Sequence, residues 1–175
     1  MQEPEEPRGS AKCGVAPHRI EPRRLDLVSG PIRLHALEWG PAQGPVAMLL
    51  HGAGAHAHWW CRIAPSLPET WRIVALDLRG HGRSGWPEPP AYRIEDFAVD
   101  VLSALDQMQI SAATLVGHSM GGRVAAWLAA EHPARVNGIA LLDSNMLGLR
   151  AERVDRWRGR SAAPRERTGQ ETRAA

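Results

Sequence analysis

The chain has 175 residues, 43% hydrophobic and 23% charged, enough for one domain with its own core. Net charge is +2, but residues 25–149 carry eight Arg against eleven Asp and Glu, so no basic face there points to nucleic acid. No apolar run is long enough to span a bilayer, and the opening MQEPEEPRGS lacks the basic and apolar regions of a secretory signal.

Two cysteines, Cys13 and Cys61, make no disulfide framework and no metal-ligand spacing. A reducing, cytoplasmic setting is expected. Residues 1–24 are rich in Pro and Glu and read as a disordered leader. Order is expected from Leu25. LDLV and LHALEWG alternate apolar and polar residues, as a half-buried hairpin does, with Ser29–Pro31 as its turn. VAMLL, Val46–Leu50, is a continuous apolar run and predicts a strand buried on both faces. A helix is expected from about Ala57 to Ser66.

RIVALDL, Arg72–Leu78, predicts a second buried strand, followed by the Gly/Pro loop RGHGRSGWPEPP. In IEDFAVDVLSALDQM the apolar Ile94, Phe97, Val101, Leu102, Leu105 and Met108 fall at helical spacing. ATLVGHS is a third buried strand. An alanine-rich helix follows, stopped by Pro133. Val136–Ser144 is a fourth strand. Apolar strands alternating with helices predict an α/β fold with a mostly parallel sheet covered on both faces. Residues 150–175 have only Val154 and Trp157 as large apolar residues and read as a disordered Arg-rich tail.

Three motifs carry chemistry. Gly117-His118-Ser119-Met120-Gly121 is a G-x-S-x-G between an apolar strand and a helix. That context marks a nucleophile elbow, in which flanking glycines permit a tight turn and the serine hydroxyl stands above the strand end. A serine that merely caps a helix is the plainer alternative. The Met120 backbone N–H is positioned to stabilise developing negative charge. His51-Gly52-Ala53-Gly54 follows VAMLL directly. Its glycines let the backbone approach a reacting group, with Ala53 N–H the first choice for a second oxyanion donor and Gly54 the next. Gly52, Gly54 and His118 are expected beside the substrate. His51 is expected to hold the loop rather than act as base.

Gly80-His81-Gly82-Arg83-Ser84-Gly85 matches a dinucleotide fingerprint, but Trp86-Pro87-Glu88-Pro89-Pro90 follows where a helix would have to receive the pyrophosphate. No dinucleotide, metal or other cofactor is expected.

In this order, HGAG, LDLRGHGRSG, VGHSMGG and IALLDS resemble the α/β-hydrolase fold family, in its serine esterase and carbon–carbon hydrolase branch, over Leu25 to Leu149. The resemblance implies hydrolysis of an ester or related acyl or C–C bond in a small molecule through Ser119. Ser119 separates the chain from haloalkane dehalogenase and epoxide hydrolase members, which resemble it elsewhere but use an aspartate there. The resemblance also implies an acid and then a histidine later in the chain. Asp143 is one candidate acid; a residue one strand further on is the other. Of the eight histidines only His132 follows Ser119, and a dozen helical residues put it roughly 18 Å away. The expectation is therefore an N-terminal portion of a serine hydrolase that lacks its base and is inactive, or nearly so, alone. A non-catalytic remnant or small-molecule binding module is the alternative. Neither a nucleic acid nor a membrane partner is expected, and the sequence assigns no oligomeric state.

Overall fold

A computed structural model describes residues 21–144. The expected tail, and the leader up to residue 20, lie outside the described residues. The first strand, β1, is Arg23–Ser29, so ordered structure precedes Leu25 by two residues. The cause is a long-range charge pair: the Arg23 guanidinium bonds Glu38 Oε2, with Nε at 2.7 Å.

β1 pairs antiparallel with β2, Ile32–Trp39, in full hairpin register from Ser29↔Ile32 to Arg23↔Glu38. β2 is not the half-buried strand expected; seven of its eight residues are buried. Its apparent solvent-side residues find partners instead. Glu38 takes Arg72 Nε at 2.6 Å, and His35 Nδ1 meets Asp77 Oδ2 at 2.8 Å. Buried polar groups persist only when paired in this way.

β3 is Val46–Leu50, buried throughout as its apolar run predicts. β4 is Arg72–Leu76. Between them stand two 3-10 turns, Ala57–Arg62 and Ala64–Ser66, in place of the expected helix. Pro65 lies in the first turn of the second piece and has no N–H to continue a helix. No side chain caps the first piece, and the Ala57 N–H is taken by Asp77 Oδ1 at 2.6 Å.

Helix α1, Ile94–Gln107, starts where the Asp96 carboxylate accepts the Arg93 N–H at 2.8 Å. β5, Ala113–His118, runs into α2, Met120–Glu131, and β6, Val136–Leu142, completes the sheet. The strand order is β1-β2-β4-β3-β5-β6, with β4, β3, β5 and β6 mutually parallel.

Alternation along the central strands feeds two cores. Met48, Leu50, Val74, Leu76 and Leu115 pack with Phe97, Val101 and Leu105 of α1 and Val124 and Leu128 of α2. Ala47, Leu49, Ile73 and Ala75 pack on the other face with Trp39 and Trp60. Each fully buried leucine contributes about 2 kcal/mol through removal from water. β6 is one of the two edge strands among the described residues, with Leu141 and Leu142 exposed.

After β3 the chain adds β4 on one side, then crosses to place β5 on the other. Such a reversal opens a crevice at the carboxyl ends of the two strands, where ligands bind in open α/β sheets. HGAG leaves β3 there and GHSMGG leaves β5.

Candidate active site

The turn after β5 is as tight as its glycines suggest. Ser119 has φ 48°, a left-handed conformation rare for a side-chain-bearing residue. A Cβ on Gly121 would collide with the Leu50 carbonyl, and one on Gly117 would lie 2.5 Å from the Gly121 carbonyl carbon. Both positions therefore require glycine. The Ser119 N–H donates to Leu142 O at 3.0 Å, tying the turn to β6. Ser119 is the N-cap of α2, so Met120 opens the helix and its N–H has no acceptor within it.

Gly52 brings the two loops together. A Cβ there would lie 2.7 Å from His118 Nδ1 and 3.2 Å from Ser119 Cβ. Ala53 is exposed beside it, and Gly54 adopts φ +73°. The sequence-predicted Ser119, Met120, Gly52, Ala53, Gly54 and His118 thus gather at one end of the sheet. Asp143 follows the end of the neighbouring strand β6, one step past the His118↔Leu142 pairing. It is exposed, with φ 45°. His132 caps the far end of α2, its ring 5.6 Å from that of Trp127.

His51 is held at both ring nitrogens. Nδ1–H donates to Gly52 O at 2.8 Å, and Nε2 accepts the Leu78 N–H at 3.0 Å. These partners fix a neutral tautomer that clamps the HGAG loop to the end of β4. Burial pushes the His51 pKa down to about 4, helped by neighbouring His81 and His56 and opposed by the Gly52 carbonyl.

A pH dependence of stability follows. The folded chain keeps His51 neutral to about pH 4, whereas the unfolded chain takes up its proton near pH 6.5. The stabilisation is therefore complete above pH 6.5 and is lost as pH falls toward 4, amounting to about 3 kcal/mol. His58, lowered chiefly by burial, adds in the same direction. Urea midpoints at pH 7.5 and 4.5 measure the effect. A midpoint that does not fall on acidification, or that falls equally in His51→Gln, contradicts this role.

The RGHGRSG loop is built on a buried carboxylate that the sequence did not mark. Asp77 accepts from His35 Nδ1, the Ala57 N–H and the Arg83 N–H, at 2.8, 2.6 and 3.0 Å. Burial raises its pKa, but these three hydrogen bonds outweigh burial and hold it below the ordinary carboxylate value. A Cβ on Gly82 would strike the Asp77 carboxyl. Gly82 lets the loop close over Asp77, and no helix begins until Ile94. His35 and His58 stack with ring centres 6.4 Å apart, and His56 lies 5.5 Å from His58.

Beside Ser119 a cavity of about 180 Å³ is walled by Trp59, Trp60, Ile63 and Leu142, with His118 and Gly52 among its other lining residues. The four apolar walls were not legible in the sequence as a set. They come from a 3-10 turn, the residue after it and the end of β6.

The glycine-bounded serine turn, facing a glycine loop across a strand-order reversal, sets the context for comparison with known proteins. A family model described as alpha/beta hydrolase fold matches residues 45–173. The chain belongs to the α/β-hydrolase family. The matched span runs past Leu149, beyond the described residues. Lipase LipV of Mycobacterium tuberculosis is 42% identical over 113 residues, 64% of this chain and 42% of that protein. Fluoroacetate dehalogenase of a Burkholderia species is 33% identical over 146 residues, 81% of this chain and 47% of that protein. Among solved structures, 2-hydroxy-6-oxo-6-phenylhexa-2,4-dienoate hydrolase of Rhodococcus sp. strain RHA1 superposes with TM-score 0.66 at 36% identity, covering 72% of this chain and 47% of that one. The chain spans 33–51% of the length of the curated relatives it matches. Among the described residues, no helix of this α/β-hydrolase chain is long and apolar enough to cross a membrane. No group of three or more His, Cys, Asp or Glu among them is arranged to hold a metal ion.

Proposed function

We propose that Ser119 is the nucleophile of a serine hydrolase acting on an ester or a related acyl or C–C bond of a small-molecule substrate. The observation that carries the reading is the strained left-handed Ser119 turn set against the Gly52 loop. The family alone does not select the chemistry, since relatives are named as lipase, dehalogenase, enol-lactonase and carbamate hydrolase. A serine rather than a carboxylate at the elbow favours an acyl-enzyme on Oγ.

In this reading Ser119 Oγ attacks the carbonyl carbon as its proton passes to a base. The Ala53 and Met120 N–H groups bind the oxyanion. The alcohol then leaves with a proton, and water releases the acid. Asp143 is one candidate for the triad acid in this reading; a later carboxylate is the other. Neither His51 nor His132 is taken as the base. His51 has both nitrogens engaged, and His132 lies at the far end of α2. The complete catalytic protein is inferred to draw its base from a segment other than these, and this chain alone to be nearly inactive. Cytoplasmic location accompanies the proposal.

The test is labelling with a fluorophosphonate, followed by peptide mass analysis. Ser119 is expected to be the labelled residue, with none in Ser119→Ala. The rate should lie at least a thousandfold below that of an intact serine hydrolase, since only oxyanion binding assists. Labelling elsewhere defeats the nucleophile assignment. Labelling at the rate of intact serine hydrolases defeats the missing-base claim. The same lack of a base favours a second reading, a module that binds an ester or acid without turning it over.

A further inference from the structure

We propose that the cavity beside Ser119 receives a neutral, apolar acyl chain of about six or seven heavy atoms, with Trp59 the residue that selects it. The inference rests on the assignment of Ser119 as the reacting residue. It goes further by naming the substrate class.

Three observations carry it. The first is size: the cavity holds about 180 Å³. An apolar protein cavity of about 150 Å³ is large enough to bind benzene, so a phenyl ring or a short alkyl chain fits here. The second is charge. No Asp, Glu, Lys or Arg among the described residues lines the cavity, and His51 has both ring nitrogens engaged and is held neutral. A second carboxylate on the acyl group would lose its water and find no fixed cation among these residues. The third is exposure. Trp59 is 59% exposed, Ile63 45% and Leu142 40%, and all three border the same cavity. Large apolar side chains clustered at a concave mouth mark a site that gains by being covered.

Position supplies the orientation. The cavity includes Gly52 and His118, which meet against Ser119. An acyl group bonded to Ser119 Oγ, with its oxygen toward the Ala53 N–H, has this cavity as its adjacent apolar volume. Trp59 gives the largest movable wall. Its indole offers a broad face at low entropic cost.

The experiment is calorimetric titration of the full chain with acetate, hexanoate, benzoate and succinate. These are the acids such a site would release. Hexanoate and benzoate are expected to bind at least tenfold more tightly than acetate, and succinate no more tightly than acetate. Trp59→Ala is expected to cut the hexanoate-over-acetate preference at least fivefold. Ile63→Glu should cut it in a wall that Trp59→Ala leaves in place. Trp86→Ala, at a tryptophan 75% exposed and outside the cavity, should leave it unchanged. Equal binding of acetate and hexanoate, succinate binding like hexanoate, or an unchanged preference in Trp59→Ala overturns the proposal. Ser119→Ala separates it from the catalytic reading. That variant keeps the chain-length preference while losing the fluorophosphonate label. A preference without labelling at Ser119 in the native chain removes the nucleophile, and labelling without a preference removes the acyl pocket.

Discussion

Replacing Asp77 by alanine is expected to cost about 4–6 kcal/mol, enough to abolish cooperative unfolding at 37 °C in a domain of ordinary stability. The carboxylate is completely buried and accepts three hydrogen bonds, from the His35 ring, the Ala57 N–H and the Arg83 N–H. Truncation leaves three donors without this acceptor, two of them buried and one part-buried, and each such group costs about 1–3 kcal/mol. The loss also spreads, because Asp77 joins β2, the first 3-10 turn and the RGHGRSG loop. Asp77→Asn should fall between the two, since its amide keeps one acceptor oxygen but turns an NH2 toward donors. Urea unfolding followed by circular dichroism measures both. An alanine variant within 1 kcal/mol of the native chain would show that the carboxylate does not organise this loop.

The second large effect is at the Arg79–Asp100 pair. Both Arg79 Nε and Nη2 donate to the Asp100 carboxylate at 2.6 Å, and neither side chain is more than 7% exposed. Asp100→Ala leaves the buried guanidinium only Ala91 O at 3.3 Å and Asp96 Oδ1 at 4.0 Å, and is expected to cost about 3–5 kcal/mol. The pair itself adds much less than that, because both ions gave up hydration to form it. The double variant Arg79→Met with Asp100→Leu should therefore recover most of the loss. Measured midpoints for the single and double variants decide the matter. A double variant as unstable as Asp100→Ala would mean the pair contributes through its charge rather than through the penalty of breaking it.

These residues also show where sequence reading succeeds and where it stops. VAMLL declares β3 because an unbroken apolar run is stable only where both faces are covered. The Ser119 turn is legible because its requirement is local: glycines must flank it, and a strand and helix must adjoin it. β2 misled because His35 and Glu38 are polar side chains of a kind that normally faces water. Their partners, Asp77 and Arg72, lie 42 and 34 residues away. Nothing within the strand announces them. The segment 57–66 misled for a related reason. Its composition tolerates a helix, but Pro65 and the capture of the Ala57 N–H by Asp77 leave two short 3-10 turns.

By itself, the sequence determined the succession of strands along the chain, the glycine loops at their ends and the tight turn at Ser119. Each depends on side-chain volume and backbone freedom within a few residues. Only the tertiary structure decided that β5 crosses to the far side of β3, so that HGAG and GHSMGG meet at Gly52. It also decided that His51 is a neutral clamp, that Asp77 anchors a loop, and that Trp59, Ile63 and Leu142 share one cavity. Those outcomes depend on which distant group fills each hydrogen bond and each apolar face, and that pairing is made only when the sheet closes.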